Sequence, residues 1–138
     1  MASFPLTGGC NCGGVRFEVT EPLVSASWCH CTRCQRRTGS SASPQAVAKQ
    51  GSLRILQGEE LLRAWAPAQG AAKVFCSACG SSVWSLRDGE TYAIRFGVFD
   101  SDPGIRPSCR QFVAYAAPWD PIPDDGLPRF PERRPPSV

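Results

Sequence analysis

Cys29-His30-Cys31-Thr32-Arg33-Cys34 is the stretch that decides how this chain folds. It places three thiols within six residues, and a tight turn of the backbone would bring all three to one metal ion. Two cysteine pairs lie at a distance, Cys10-Asn11-Cys12 before it and Cys76-Ser77-Ala78-Cys79 after it. Seven of the eight cysteines therefore fall in three short clusters, a pattern that predicts metal binding and not scattered core cysteines.

Seven ligands indicate two metal ions of different kinds. A structural zinc takes four protein ligands, whereas a catalytic zinc keeps three and leaves one position open. The adjacent thiols of Cys29, Cys31 and Cys34 suit the open site. Spacing alone also allows Cys31 and Cys34 to join Cys76 and Cys79 in a zinc ribbon, and it does not exclude iron–sulfur ligation.

Composition limits the classes of partner. The net charge of +3 is small and only two of the 15 basic residues are lysines, which argues against nucleic acid. The thirteen arginines favour small acidic ligands, because a guanidinium group binds a carboxylate with two parallel hydrogen bonds. No export signal and no membrane span is recognisable, so we expect reduced thiols and a cytoplasmic protein. No feature indicates an oligomeric state.

Alternating apolar and polar residues predict a mainly β fold, and together with the cysteine clusters they indicate a single zinc-stapled domain. A helical turn is expected over residues 31–38, ended by Gly39, and the segment 61–65 is either a strand or a short helix. Residues 87–90 contain a strong turn signal, and residues 91–99 are predicted to be the longest strand. The other predicted strands are 15–19, 24–28, 42–48, 51–56, 72–75, 82–85 and 110–115.

The C-terminal tail is rich in proline. From Pro118 on, seven of 21 residues are proline, so an irregular tail is expected. Its apolar residues are predicted to pack against the body of the domain; they are Trp119, Ile122, Leu127 and Phe130. The folded domain is predicted to span residues 1–131 and a disordered tail residues 132–138.

Four separated motifs resemble the glutathione-dependent formaldehyde-activating (GFA) family, which also includes centromere protein V. In chain order they are Gly9-Cys10-Asn11-Cys12-Gly13, Cys29-His30-Cys31 with Cys34 and Arg36-Arg37-Thr38-Gly39, Phe75-Cys76 with Cys79-Gly80-Ser81, and Pro118-Trp119 with Gly126-Leu127-Pro128-Arg129-Phe130. The resemblance implies antiparallel β-sheets around two zinc ions per chain. It assigns Cys10, Cys12, Cys76 and Cys79 to a structural ion.

The same resemblance assigns Cys29, Cys31 and Cys34 to a second zinc associated with catalysis. The activity that it implies is carbon–sulfur lyase chemistry on the adduct of glutathione and formaldehyde. One position departs from the family pattern: relatives often carry His in a Pro-x-x-His motif, whereas this chain reads Pro107-Ser108-Cys109-Arg110. If that His handles protons or substrate, the glutathione–formaldehyde reaction itself is in question for this chain.

Arg36 and Arg37 are the candidate substrate-binding residues. Three thiolates on Zn²⁺ carry a net charge of −1, and nearby guanidinium groups would offset it or pair with a carboxylate of the ligand. His30 lies between two ligands, so its ring is expected to point away from the metal. Cys109 is expected to be a small core residue, with a fourth ligand to the open site as the alternative.

The predicted function is therefore that of a zinc-dependent, carbon–sulfur lyase-like enzyme acting on a thiol adduct. Strongly donating thiolates make the ion a weak Lewis acid, so holding an added thiolate is more natural than generating hydroxide. Glutathione or a similar small thiol is the expected partner. The alternative is a non-enzymatic zinc module that binds another protein.

Overall fold

The structure, a computed structural model, describes residues 3–137; Met1, Ala2 and Val138, the outer ends of the predicted domain and tail, lie outside the described residues. The described part is mainly β, as predicted, with ten strands and one α-helix (α1, Thr32–Thr38). The strands are β1 (Leu6–Gly9), β2 (Arg16–Val19), β3 (Ser25–Cys29), β4 (Ser43–Val47), β5 (Leu53–Gln57), β6 (Leu62–Trp65), β7 (Ala72–Cys76), β8 (Ser82–Arg87), β9 (Glu90–Arg95) and β10 (Arg110–Gln111).

The chain forms two compact units, the first from Met1–Val24 with Ala46–Ile105 and the second from Ser25–Gln45 with Arg106–Val138. The first unit contains a three-stranded sheet in the order β1-β2-β5, whose neighbouring strands are antiparallel. It also contains β6 to β9, each antiparallel to the next along the chain. All seven strands of this unit that these pairings join are therefore antiparallel, as predicted.

Phe17 is the centre of the first unit's core. Along β2 the buried residues alternate with half-exposed ones, so Phe17 and Val19 point inward while Arg16 and Glu18 face outward. The Phe17 ring packs edge-on against Trp84 of β8 at 5.4 Å and against Phe99 at 6.0 Å between centroids. These contacts join the three-stranded sheet to the strand meander within one core.

Local turn chemistry behaves as the sequence predicts. The β8–β9 hairpin turns at Asp88 and Gly89, both with positive φ (53° and 78°), and Arg87 pairs with Glu90. Helix α1 ends where Gly39 adopts a left-handed conformation with φ of 68°. The undecided segment 61–65 is mostly strand: β6 covers Leu62–Trp65, and Leu61 ends the 3-10 turn Glu59–Leu61 that precedes it.

The prediction of one long strand over residues 91–99 was wrong. Strand β9 ends at Arg95, and Phe96–Val98 forms a 3-10 helix. The reason is a competing partner: Phe99 bridges Gly8 of β1, and the Asp100 N–H donates to the Thr7 carbonyl at 2.9 Å. The chain therefore leaves the meander in order to pair with the other sheet of the same unit.

The predicted strand over residues 110–115 is also shorter in the structure. Strand β10 contains only Arg110 and Gln111 and runs parallel to β3. Phe112 then has φ of 58°, which no strand residue adopts, and Val113–Tyr115 is a 3-10 helix. The backbone groups there pair with the tail, because the N–H groups of Phe112 and Val113 donate to the carbonyls of Glu132 and Phe130.

The tail lies irregularly along the second unit and is held by hydrogen bonds. Phe130 exchanges backbone bonds with this region, and Arg134 donates to the Gln111 side chain (3.1 Å) and to Ser25 Oγ (3.0 Å). Three of its apolar residues are half-buried, namely Ile122, Leu127 and Phe130. The prediction that Trp119 packs against the body was wrong, since 68% of its surface is exposed.

Across residues 3–137, no helix is long and apolar enough to cross a membrane.

Gly58 provides a test of how closely the first unit is packed behind the Cys10–Cys12 turn. Its φ is +81°, and a Cβ there would lie 2.1 Å from the Gly14 carbonyl oxygen, whereas Gly51 has the same φ and open space around it. Gly51→Ala should cost only the backbone strain, about 1–2 kcal/mol. Gly58→Ala should cost a further ~1–3 kcal/mol from the clash. Urea denaturation of both variants measures the difference, and equal losses would contradict the close packing.

Two candidate metal centres

The first cysteine cluster joins two turns of the first unit. Cys10 and Cys12 follow β1, while Cys76 ends β7 and Cys79 lies in the turn before β8. Their four sulfur atoms all lie within 4.8 Å of one another, with Cys10 Sγ 3.5 Å from Cys12 Sγ and Cys12 Sγ 3.9 Å from Cys76 Sγ. This is the grouping that the family resemblance implied for the structural ion.

Backbone geometry aims these sulfur atoms at a common point. The Gly13 N–H donates to the Cys10 carbonyl (3.1 Å) and the Gly80 N–H to the Cys76 carbonyl (2.7 Å), closing two similar turns. Both glycines have φ near +80°, which a residue with a side chain adopts only with strain. The glycine in each turn therefore makes the hairpin that presents the two thiols of each pair.

Hydrogen bonds also prepare the sulfur atoms for a cation. The Val15 N–H donates to Cys10 Sγ at 3.2 Å, and a hydrogen bond with Ser81 Oγ, 3.2 Å away, lowers the pKa of the Cys79 thiol to about 5. The thiolate is the form that binds metal. Four sulfur donors without a carboxylate or imidazole fit zinc, for which such tetrahedral sets are typical.

The second cluster lies at the junction of β3 and α1 in the second unit. Cys29 ends the strand, Cys31 caps the helix and Cys34 lies in its first turn, and their three sulfur atoms are within 4.8 Å of one another. Cys29 Sγ is 3.4 Å from Cys31 Sγ, and Cys31 Sγ accepts the backbone N–H of Cys34 at 3.4 Å. The first helical turn therefore provides the tight bend that the spacing requires.

The second cluster is also prepared to lose protons. Hydrogen bonds from Cys29 and Cys34 lower the pKa of the Cys31 thiol to about 2, while the hydrogen bond with Cys31 raises the pKa of Cys29. The Cys31 thiol is therefore the one of the two that more readily forms the thiolate, which is the form that binds metal. A set of three sulfur donors fits zinc and contains one ligand fewer than the first cluster.

These two groups decide between the possible partitions of the cysteines. Cys31 and Cys34 group with Cys29 and not with Cys76 and Cys79, so the zinc-ribbon alternative is not the arrangement found. Cys109 is fully buried and belongs to neither group. Its expected place in the core is therefore what the structure shows.

The two candidate substrate-binding arginines lie in different surroundings. Arg36 is exposed on the last turn of α1. Arg37 is half-buried and its Nη2 lies 3.6 Å from Cys34 Sγ and 3.1 Å from Ser43 Oγ. Of the two, Arg37 therefore brings positive charge to a sulfur atom of the cluster, that of Cys34.

A partly buried polar network next to the second cluster was missed by the sequence reasoning. Arg110 binds Asp125 through Nε (3.1 Å) and Nη2 (2.8 Å), and its Nη1 lies 3.2 Å from His30 Nε2. Burial lowers the pKa of His30, the Arg110 charge adds to this, and the same guanidinium holds the pKa of Asp125 below its usual range. In the sequence, the only indication of this network is that Arg110 stands where the family pattern often has His. Nothing in the proline-rich tail distinguishes Asp125.

Comparison with known proteins identifies the family. The family model described as "Glutathione-dependent formaldehyde-activating enzyme" matches residues 5–115. The crystal structure of a Rhodobacter sphaeroides protein, a structural genomics target, is similar, with a TM-score of 0.59 and 26% identity over 90% of this chain and 98% of that one. No curated protein matches the chain.

The two clusters should differ in what their loss does to the protein. Zinc binding in small domains contributes about 10–16 kcal/mol, which rivals the ~5–15 kcal/mol net stability of a whole domain. Cys79→Ser, which breaks the link between two turns of the first unit, should give insoluble or unfolded protein. Cys34→Ser should stay folded and lose one of two zinc ions.

Native mass spectrometry counts the ions, and circular dichroism with solubility reports the fold. One ion in the unmodified chain, iron in place of zinc, or equal damage from the two substitutions would contradict the assignment.

Proposed function

The chain belongs to the family of glutathione-dependent formaldehyde-activating enzymes, and from this premise we propose that it is a zinc-dependent, carbon–sulfur lyase-like enzyme acting on a thiol adduct. The adduct is of the S-hydroxymethylglutathione type. The observation that carries the proposal is the unequal ligand count of the two clusters, four sulfur atoms in the first and three in the second. The second cluster is therefore the site where substrate sulfur would bind.

The reaction requires the protein to stabilise the sulfur as a thiolate and to allow the transfer of one proton. In the lyase direction the carbon–sulfur bond of the adduct breaks and its electron pair stays on sulfur. The hydroxyl group of the adduct loses its proton as the carbon–oxygen double bond of formaldehyde forms, and a proton returns to the thiol. In the opposite direction the thiolate attacks formaldehyde and the alkoxide takes up the proton.

Cys29, Cys31 and Cys34 would hold the second zinc, and such an ion supplies one remaining coordination position suited to a soft thiolate. Three thiolate ligands would make such an ion a weak Lewis acid, which would favour binding sulfur over activating water. Arg37, 3.6 Å from Cys34 Sγ, would offset the excess negative charge when a further thiolate arrives. The positive charge of Arg37 would thus help the substrate sulfur to stay a thiolate, with no need for a protein base that takes up its proton.

Arg36 would act on the remainder of the thiol. Glutathione carries two carboxylates, and the exposed guanidinium at the end of α1 is free of the sulfur contacts that engage Arg37. Pairing with a carboxylate there would orient the ligand with a modest gain in affinity, because solvent screens exposed ion pairs.

All eight cysteines are free of disulfide bonds, which fits a reducing location such as the cytoplasm.

Cobalt substitution tests whether the second site accepts a thiol. In the cobalt-loaded chain, glutathione should strengthen the sulfur-to-metal charge-transfer absorption, because a fourth thiolate joins the ligand set. S-methylglutathione, which cannot form a thiolate, should leave the spectrum unchanged. Arg37→Ala should weaken the response through the charge at the cluster, and Arg36→Ala, one position away, should weaken it less.

The same samples test the activity by formaldehyde release from the preformed adduct. A spectrum that does not respond to millimolar glutathione, together with unchanged adduct, would reject the lyase proposal in favour of a zinc module that binds another protein.

A further inference from the structure

We propose that Arg110 and Asp125 form a positioning pair that holds the Cys29–Cys31 turn in its metal-binding conformation and thereby sets the affinity of the second site. The pair acts through His30, the residue between the two ligands. This inference rests on the second metal site of the proposed function, but it assigns a role to residues outside the ligand set.

The guanidinium group of Arg110 contacts a different residue on each of three sides. The residue is only 7% exposed. One edge binds the Asp125 carboxylate through Nε and Nη2, Nη1 points to His30 Nε2, and Cζ lies 4.9 Å from the centre of the Trp28 ring. A guanidinium held at three sides has a fixed orientation, which a lysine ammonium would not provide.

The contact with His30 has a defined direction. Arginine has no acceptor, so Nη1 donates and His30 Nε2 accepts. The ring proton must then be on Nδ1 and the imidazole must be neutral. Arg110 therefore fixes both the orientation and the tautomer of the chain's single histidine.

The backbone of His30 is held as firmly as its ring. Its N–H donates to the Gln111 carbonyl at 3.0 Å, and its carbonyl accepts from Gln35 Nε2 at 2.9 Å. Gln111 is the neighbour of Arg110 in β10, and Arg110 and Gln111 pair in register with Trp28 and Cys29. The peptide groups on both sides of His30 are thus fixed. They join His30 to Cys29 and Cys31, whose sulfur atoms lie 3.4 Å apart.

The role of the pair is positional because its charges cancel. Asp125 accepts two bonds from Arg110, so little positive charge remains to stabilise thiolates. Arg37 differs, since it contacts Cys34 Sγ directly. If Arg110 acted through charge, removing both members of the pair would leave the site unchanged. A positioning role predicts that the double substitution still weakens the site.

The test therefore uses the charge-balanced variant Arg110→Met/Asp125→Asn in the full chain. Competition with a chromophoric chelator gives the zinc affinity of each site, and Cys34→Ser provides the reference for the first site alone. We expect the second site to lose about 10- to 100-fold in affinity, the usual effect of removing an outer partner of a metal site. The first site should keep its affinity within the same molecule.

A spectroscopic readout separates positioning from general loss of stability. In the cobalt-loaded variant, the visible bands of the second site should shift or broaden because its sulfur atoms no longer share one geometry. Glu21→Gln, which removes the carboxylate of the exposed Lys49–Glu21 ion pair, is the matched control and should change neither affinity nor spectrum. Asp125→Asn alone, at a carboxylate 30% exposed, should fold and show a smaller loss confined to the second site.

The outcomes are distinct. Unchanged affinity and bands at the second site, or equal losses at both sites, would overturn the positioning role. A wild-type chain that binds a single ion would instead refute the second metal site and with it the proposed function.

Discussion

Thiolates cannot crowd together without a cation, and this constraint underlies the structure of the first unit. Two unit charges about 4 Å apart repel by ~4 kcal/mol near a protein surface, and four sulfur atoms here lie within 4.8 Å of one another. A divalent ion turns that repulsion into attraction. Because the four sulfur atoms come from turns that close two different sheets, a metal ion bound there would hold together the same two layers that the Phe17 core joins.

The sequence predicts what local chemistry decides. Cysteine spacing indicates metal binding, and the family resemblance supplies the partition of the cysteines that the structure shows. Positive φ at Gly39 and Gly89 ends a helix and closes a hairpin as expected. Strand ends at Arg95 and Gln111 escaped prediction because distant backbone groups decide them, β1 in one case and the tail in the other. The prediction that Trp119 packs against the domain rested on its hydrophobicity alone and was wrong, because the side chain is exposed.

Both candidate centres have only cysteine sulfur atoms as donors, but different kinds of contact hold the cysteines of each centre in place. The first is built from two glycine-containing turns, each closed by a hydrogen bond between residues close in sequence. The second depends on residues far along the chain, since Arg110, Asp125 and Gln111 fix the His30 turn. The sequence and its family resemblance indicate the candidate ligands of both sites, but only the fold shows that Arg110, at a departure from the family pattern, faces the single histidine.

This long-range support has a consequence for biosynthesis. The ligands of the first centre are all made once residue 79 is added, whereas Arg110 follows His30 by 80 positions. At ~5–20 residues per second, the ribosome needs on the order of ten seconds to cover that distance. During this interval the three thiols of the second cluster are exposed to oxidants without their anchors. Rapid overproduction in an oxidising host should therefore expose Cys29, Cys31 and Cys34 to oxidation until Arg110 is made, which is later than the last ligand of the first centre.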